Sequence, residues 1–351
     1  MLEEISAVNF RPFERLHAGF FPGPNFLVGP NARGKTSILE AVCFLLRLQS
    51  PRTSAPAECV RFGSGGFSLD GRFAGRHLRV RFDGRLKRFS LDAKESVPAA
   101  DYLSVARVTW IANSDLDLVC GSPSARRRFL DFLGVQLGTG YLPALRAYER
   151  ALRARNALLR DARPPREIRA FDAPLADAGD RLLATRAHCV RELEPFAAAA
   201  FLTISGGMET LACRYEPGCA IPMAQALDAA WESDLRARTT TSGPHRDDLV
   251  LSLDGRPPAT FASEGQQRSC ALALKFGQAG LLFRETGCRP VCLVDDIFGE
   301  LDPGRRTRLL GLLPNDSVAL VTTTSTAWLE GLPPAGREIG ISGIRLFAGA
   351  A

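Results

Sequence analysis

The hydrophobic positions of this chain change period several times, and those changes set out its architecture. Residues 25–28 form an apolar run too short for a helix. A glycine-bearing loop follows over 29–34, and then apolar residues over 36–48 dense enough for a buried helix, which predicts strand, loop, helix. From 59 to 91 apolar and polar residues alternate around the dipeptides Asp70-Gly71 and Asp83-Gly84, the pattern of an antiparallel meander with tight turns. Over 121–200 the alternation stops. Alanine, leucine and arginine recur at helical spacing, interrupted at Pro164-Pro165. Strands return after 204, with an alternating run over 248–253, a third turn at Asp254-Gly255, a helix over 266–283 and apolar strands over 291–294 and 318–321. The heptad repeat is not sustained, so no long coiled coil is expected.

Composition narrows the classes. With 351 residues and 46% hydrophobic content the chain can bury one large core or two modest ones. It contains no run of roughly 18 to 20 apolar residues able to span a bilayer, so a soluble, cytoplasmic protein with no membrane partner is expected. The nine cysteines are scattered singly without a C-x-x-C pair, which reads as reduced thiols. A net charge of +6 permits a polyanionic partner without demanding one. Only four lysines occur among 44 basic residues, which singles out a site that specifically needs a compact ammonium, and Lys35 lies in such a site.

The loop Gly29, Pro30, Asn31, Ala32, Arg33, Gly34, Lys35, Thr36 fits G-x-x-x-x-G-K-[ST] between a predicted strand and a predicted helix. Together with Ser37 these residues are the expected ATP site. Backbone N–H groups and the helix N-terminus cradle phosphate, Lys35 reaches the β- and γ-phosphates and the Thr36 hydroxyl holds Mg²⁺. The strand ending in Val294, Asp295 and Asp296 presents two carboxylates, a Walker B segment. Asp295 is the second expected Mg²⁺ ligand, and Asp296 takes the place of the group that polarises the attacking water. Lys35, Asp295 and Asp296 are thus the expected catalytic residues. Ser263, Glu264, Gly265 and Gln266 resemble the S-x-G-Q signature that opens a helix in ABC ATPases, where Ser263, Gly265 and Gln266 would grip a γ-phosphate bound by the other subunit of a dimer. Asp302 stands at D-loop spacing, although an acidic turn before Pro303 would look the same. Thr323, in Thr322-Thr323-Thr324, occupies the switch position, and Asn113 stands where a Q-loop glutamine is usual.

Three further strings resemble one family. Ser242-Gly243-Pro244-His245-Arg246-Asp247-Asp248, the run from Asp295-Asp296 through Glu300-Leu301-Asp302, and Gly121-Ser122-Pro123 with Arg126 through Asp131, followed by Tyr148 and Arg155-Asn156, are similar to segments of the RecF recombination-repair proteins. The resemblance covers most of the chain. It implies an α/β ABC-type P-loop ATPase head with an antiparallel β subdomain and an inserted, mainly helical lobe. The N-terminal part of the ATPase lobe would span 1–120, the helical insertion 121–240 and the C-terminal part of the ATPase lobe 241–351. It also implies a DNA replication and repair protein: an ATP-dependent homodimer that clamps DNA at gaps and single-strand/double-strand junctions without sequence specificity. Such a protein would hydrolyse ATP slowly with DNA stimulation and work with RecO and RecR in RecA loading and the SOS response.

Arg126, Arg127, Arg128, Arg150 and Arg153 are the candidate DNA contacts, the alternative being a solvated helix face paired with acids such as Glu149. His245, a lone histidine in a turn, reads as structural. Ala32 stands where the family usually has glycine and is strained if that residue takes positive φ. With the short side chain of Asp296, this keeps open a non-hydrolysing scaffold for DNA and protein partners. A transporter subunit fits poorly, because the stretch from Thr36 to Ser263 is long for that class.

Overall fold

A computed structural model describes residues 1–95, 97–207, 209–219 and 221–329 and the backbone of 337–340. Residues 341–351, the end of the expected C-terminal segment, lie outside the described residues. The chain divides into two compact units, the first made of residues 1–115, 203–207 and 278–351, the second of 116–202 and 208–277.

The first unit is built on two sheets. Strands β1 (Leu2–Phe10), β2 (Phe13–Gly19), β4 (Phe67–Phe73), β5 (Arg76–Phe82), β6 (Lys87–Leu91) and β7 (Lys94–Glu95) form an antiparallel sheet in the order β2-β1-β4-β5-β6-β7. Strands β3 (Gly23–Val28), β8 (Val108–Ala112), β11 (Val291–Asp295), β12 (Val318–Thr323) and β13 (Arg337–Gly340) form a parallel sheet in the order β13-β3-β12-β11-β8. Helix α1 (Lys35–Arg47) touches β4 and β5 of one sheet and β8, β11 and β12 of the other. That position explains its sequence: Ile38 through Leu46 is buried on every side, as a helix covered on all faces requires, and each large apolar side chain there contributes about 1.5–3 kcal/mol. The phosphate loop is therefore anchored to the most deeply packed helix of the unit. The short α2 (Ala99–Ser104) precedes β8, and α12 (Pro303–Leu310) lies between β11 and β12.

The meander is present, with one change. Asp83-Gly84 turns between β5 and β6, and Asp83 Oδ1 accepts from the N–H of Arg85 (3.0 Å) and Leu86 (2.8 Å). Asp70-Gly71, expected as a turn, lies within β4, and the chain reverses at Ala74-Gly75, where φ is 50° and 73°. Gly71 serves close packing instead: a Cβ there would stand 2.6 Å from Leu45 Cδ2 and 2.8 Å from the Glu4 carbonyl oxygen.

The second unit begins with the short α3 (Asp117–Cys120) and holds the helices predicted after residue 121: α4 (Pro123–Leu137), α5 (Tyr141–Arg160), α6 (Pro165–Arg169) and α7 (Asp172–Ser205), whose last three residues fall in the first unit. Tyr141, Ala144, Tyr148, Leu175, Leu182, Met223 and Leu227 form one of its cores. After α7 come β9 (Leu211–Glu216), α8 (Met223–Ala229), α9 (Trp231–Ala237), β10 (Asp248–Leu253), α10 (Pro258–Phe261) and α11 (Glu264–Thr286). Residues 241–277, expected in the ATPase lobe, belong to this unit, because β10 pairs with β9 alone and packs on α4 instead of joining the parallel sheet. The Asp254-Gly255 turn is present, with φ of 47° and 78°, and closes on Leu253 N–H to the Arg256 carbonyl at 2.9 Å.

Candidate functional site

In the first unit, β3 delivers the chain into the loop 29–34 and α1 carries it away. Ala32 (φ 63°) and Gly34 (φ 86°) both take the left-handed conformation that bends the loop, so the strain foreseen at Ala32 is present. The crown, residues 30–33, is exposed. The first turn of α1 carries no acidic residue and Gly34 supplies no side-chain cap, so the N-terminal partial charge faces this loop without an internal carboxylate to offset it. Lys35 is buried, and its ammonium donates to the carbonyls of Gly29 and of Pro30 (2.9 Å). Ser37 is buried in the same turn of α1.

The carboxyl end of β11 meets this loop. Thr36 Oγ1 donates to Asp295 Oδ1 at 2.7 Å, Thr322 Oγ1 donates to the same oxygen at 2.9 Å, and the N–H of Asp296 donates to Thr322 Oγ1 at 2.9 Å. Parallel pairing of β11 with β12 places Asp295 opposite Thr322 in register. Asp296 takes φ 50°, and burial raises its carboxyl above the ordinary range. The Lys35 charge opposes that rise, while Asp295 and Glu300 add to it. Asn113 donates to Glu300 Oε1 (2.9 Å) and to the Asp296 carbonyl (3.4 Å), so the Q-loop position is tied to the segment after Walker B.

Two further candidates have local partners. Thr323, named for the switch, is buried, donates to the Ser325 carbonyl (2.8 Å) and accepts from Trp328 Nε1 (3.4 Å), whereas its neighbour Thr322 is the threonine in contact with Asp295. Asp302 caps α12: its carboxylate accepts from the Arg305 N–H and guanidinium, both at 2.9 Å, and the backbone bond first of all holds it below its usual range.

In the second unit the signature opens α11 with a reciprocal capping box. Ser263 N–H donates to Gln266 Oε1 (2.7 Å) and Gln266 N–H donates to Ser263 Oγ (3.3 Å), while Ser263 itself is exposed and Gly265 lies in the first turn.

The arginines divide sharply. Arg126 grips Asp248 with two bonds (2.6 and 2.8 Å), and Arg127 donates to the Asp247 carbonyl (2.8 Å). Arg155 is buried between Asp172 (2.8 Å) and Asp234 (2.7 Å). Arg128, Arg150 and Arg153 remain exposed. The residue that sequence reasoning missed is Arg186. Its guanidinium joins buried Asp247 (2.7 Å), Asp131 (2.7 Å) and the Pro244 carbonyl (2.7 Å). Burial pulls Arg186 down, and Asp131, Tyr141 and Asp247 outweigh it, so its pKa is raised. The Gly243-to-Asp248 string is thus the ionic knot of this unit. His245 belongs to it as a structural residue, accepting from Tyr148 O–H (2.7 Å) and donating to the Thr240 carbonyl (2.8 Å).

A Walker A loop and a Walker B strand in a first unit built on one parallel and one antiparallel sheet, together with a signature segment that opens a helix in the second unit, define an ABC-type P-loop ATPase. A family model described as "AAA domain" matches residues 4–101. The DNA replication and repair protein RecF of Lactococcus lactis subsp. cremoris (strain MG1363) is 34% identical over 339 residues, covering 95% of this chain and 94% of that protein. That of Chloroflexus aurantiacus (strain ATCC 29364 / DSM 637 / Y-400-fl) is 36% identical, covering 97% and 98%. The chain belongs to the RecF family of DNA replication and repair proteins. Among solved structures, the recombination mediator protein RecF-ATPrS in the RecFOR pathway superposes with a TM-score of 0.88 at 26% identity, covering 99% of this chain and 98% of that one. The SmcHead bound to the C-winged helix domain of ScpA, at 14% identity and a TM-score of 0.56, shares the fold alone. No helix among the described residues is long and apolar enough to cross a membrane.

Proposed function

We propose that this chain is an ATP-gated DNA clamp of replication and recombinational repair. In this reading ATP binding closes a homodimer on gapped DNA or a single-strand/double-strand junction, and slow, DNA-stimulated hydrolysis reopens it. The observation that carries the reading is the convergence of Thr36 and Thr322 on Asp295 beside Lys35, since hard oxygen donors next to a phosphate loop are the set that Mg²⁺–ATP requires. Thr36 and Asp295 would hold Mg²⁺, which supplies charge neutralisation between the β- and γ-phosphates. Lys35 would release its loop carbonyls to bind those phosphates, and Asp296 would orient the attacking water. Ser263 and Gly265 would serve the nucleotide of a second copy.

The RecF-ATP and RecF-ATPrS structures of the RecFOR pathway support ATP as the nucleotide and RecO and RecR as partners; RecA loading and the SOS response are the setting this proposal adds. A cytoplasmic location follows from the DNA partner. Arg128, Arg150 and Arg153 are the DNA contacts this reading retains, through phosphates and without base readout.

Sedimentation with and without ATP·Mg²⁺, in the presence of a labelled gapped duplex, tests the clamp. ATP-dependent dimers that carry the DNA are expected, and a monomer indifferent to both ligands would overturn it. A second reading, a non-hydrolysing scaffold, is favoured by the strained Ala32 and the short Asp296. ATP turnover abolished by Lys35→Ala excludes it.

A further inference from the structure

The signature segment is held by a residue that no motif contains. Gln266 uses both ends of its amide: Oε1 accepts from Ser263 N–H at 2.7 Å, and Nε2 donates to the Glu209 carboxylate. An amide has one accepting end and one donating end, whereas an ionised carboxylate only accepts. Glu209 therefore draws the Nε2 end to itself, and the oxygen is left facing the Ser263 N–H.

Glu209 is braced in turn. The N–H of its neighbour Thr210 donates to Asp254 Oδ1 (2.8 Å), and Asp254 N–H donates to the Thr210 carbonyl (3.0 Å), which fixes this point of the chain to the Asp254-Gly255 turn. On the other flank Gln267 donates to the carbonyls of Pro258 (3.1 Å), Ala259 (3.3 Å) and Ala262 (3.2 Å), which ties α10 to the start of α11. Ser263 Oγ accepts from the Gln266 N–H, so its own proton is what it offers to an anion.

We propose that Glu209 is the positioning residue of the signature. By fixing the Gln266 amide it sets the direction in which Ser263 presents its hydroxyl to the γ-phosphate held by a second copy of this chain, and it touches no nucleotide itself. This rests on the reading of Ser263 as acting across a dimer.

The test is sedimentation of the full chain over a concentration series with ATP·Mg²⁺, paired with titration of the dilute monomer by a fluorescent ATP analogue. Glu209→Ala raises the dimer dissociation constant at least about tenfold, the scale of a lost hydrogen bond to a charged acceptor, and leaves monomer ATP affinity within about twofold. Glu209→Gln, which keeps an accepting oxygen, recovers most of the loss. In a Gln266→Ala background Glu209→Ala has no further effect, because the two act as one unit.

Unchanged dimerisation of Glu209→Ala, additivity with Gln266→Ala, or an equal loss of monomer ATP binding overturns the proposal. Ser263→Ala separates the levels. If it dimerises like the parent, the trans reading itself fails; if it is impaired while Glu209→Ala is normal, only the role of Glu209 fails. Should Glu209→Ala not fold, the pair E209Q with Q266E, in which donor and acceptor trade sides, is expected to dimerise better than Q266E alone, and equality of the two overturns the proposal.

Discussion

Thr36 and Asp295 stand 259 positions apart in the chain, yet the threonine hydroxyl donates to the carboxylate at 2.7 Å. One belongs to the phosphate loop and the other to the end of β11, and α1, packed between the two sheets, fixes their separation. Asp295→Asn keeps the size of the side chain and removes its charge. Mg²⁺-dependent ATP turnover is expected to fall on the order of a hundredfold, the scale of removing one preorganised charge-stabilising group. Steady-state turnover across a Mg²⁺ series checks this, and an unaltered Mg²⁺ dependence would argue against Asp295 as the ligand.

Asp296 combines a left-handed backbone with a carboxyl raised chiefly by burial. A raised acid pKa means that the unfolded chain ionises more easily than the folded one, so above both values the ionised carboxylate penalises the fold. Asp296→Asn, which tolerates positive φ, is expected to leave thermal stability at pH 7 equal or higher while turnover collapses and ATP binding persists. A variant that lost stability and ATP binding together would place Asp296 in the scaffold instead.

Ala32 at φ 63° is the loop's strained position. Exchanging alanine for glycine in ordinary backbone costs about 0.5–1 kcal/mol, and at positive φ relief of the Cβ clash offsets that. Ala32→Gly is expected to unfold at the same denaturant concentration as the parent and to bind ATP at least as tightly. A stability loss of about 1 kcal/mol would contradict the strained geometry.

His245 is kept neutral, its pKa lowered chiefly by burial. A base whose folded pKa lies below its unfolded value of about 6.5 takes up protons preferentially when unfolded, so stability is complete above that pH and declines as pH falls toward the folded value. Melting temperatures measured from pH 7 to pH 5 should drop more for the parent than for His245→Gln. Parallel curves would assign the acid sensitivity elsewhere.

Arg155 and Arg153 are two residues apart and opposite in kind. Arg155→Ala strands Asp172 and buried Asp234, with an expected cost of about 3–5 kcal/mol. The pair R150A with R153A should stay within about 0.5 kcal/mol of the parent in stability and reduce the salt dependence of DNA binding, lowering the log–log slope by about 1 to 2. Denaturant melts and DNA titrations at several salt concentrations separate the two effects. An unchanged slope removes these arginines from the DNA surface.

The phosphate loop was legible in the sequence because it is a local object: one contiguous stretch between a strand and a helix, whose function lies in backbone geometry that glycine spacing announces. Walker B, the signature and the Asp254-Gly255 turn were likewise legible as local segments: a strand ending in two acids, a helix start and a tight turn. Apart from Thr36 and Asp295, which their motifs name for one ion, long-range partners were not legible. Asp70-Gly71 carries a turn signal, but the approach of Leu45 and of the Glu4 carbonyl claims the glycine for the middle of a strand. Thr322 and Thr323 could not be told apart by alternation, since every position of β12 is buried and a strand covered on both faces has no polar side to count from. Charge along the helical stretch showed that arginines were there but not which ones face water. Arg126, Arg155 and Arg186 are claimed by carboxylates 61 to 122 positions further along, apart from the nearer bond of Arg155 to Asp172 and the bond that Arg186 makes back to Asp131. A side chain that pairs across such distances takes its environment from the packed chain, because burial raises the cost of leaving any one of these charges alone.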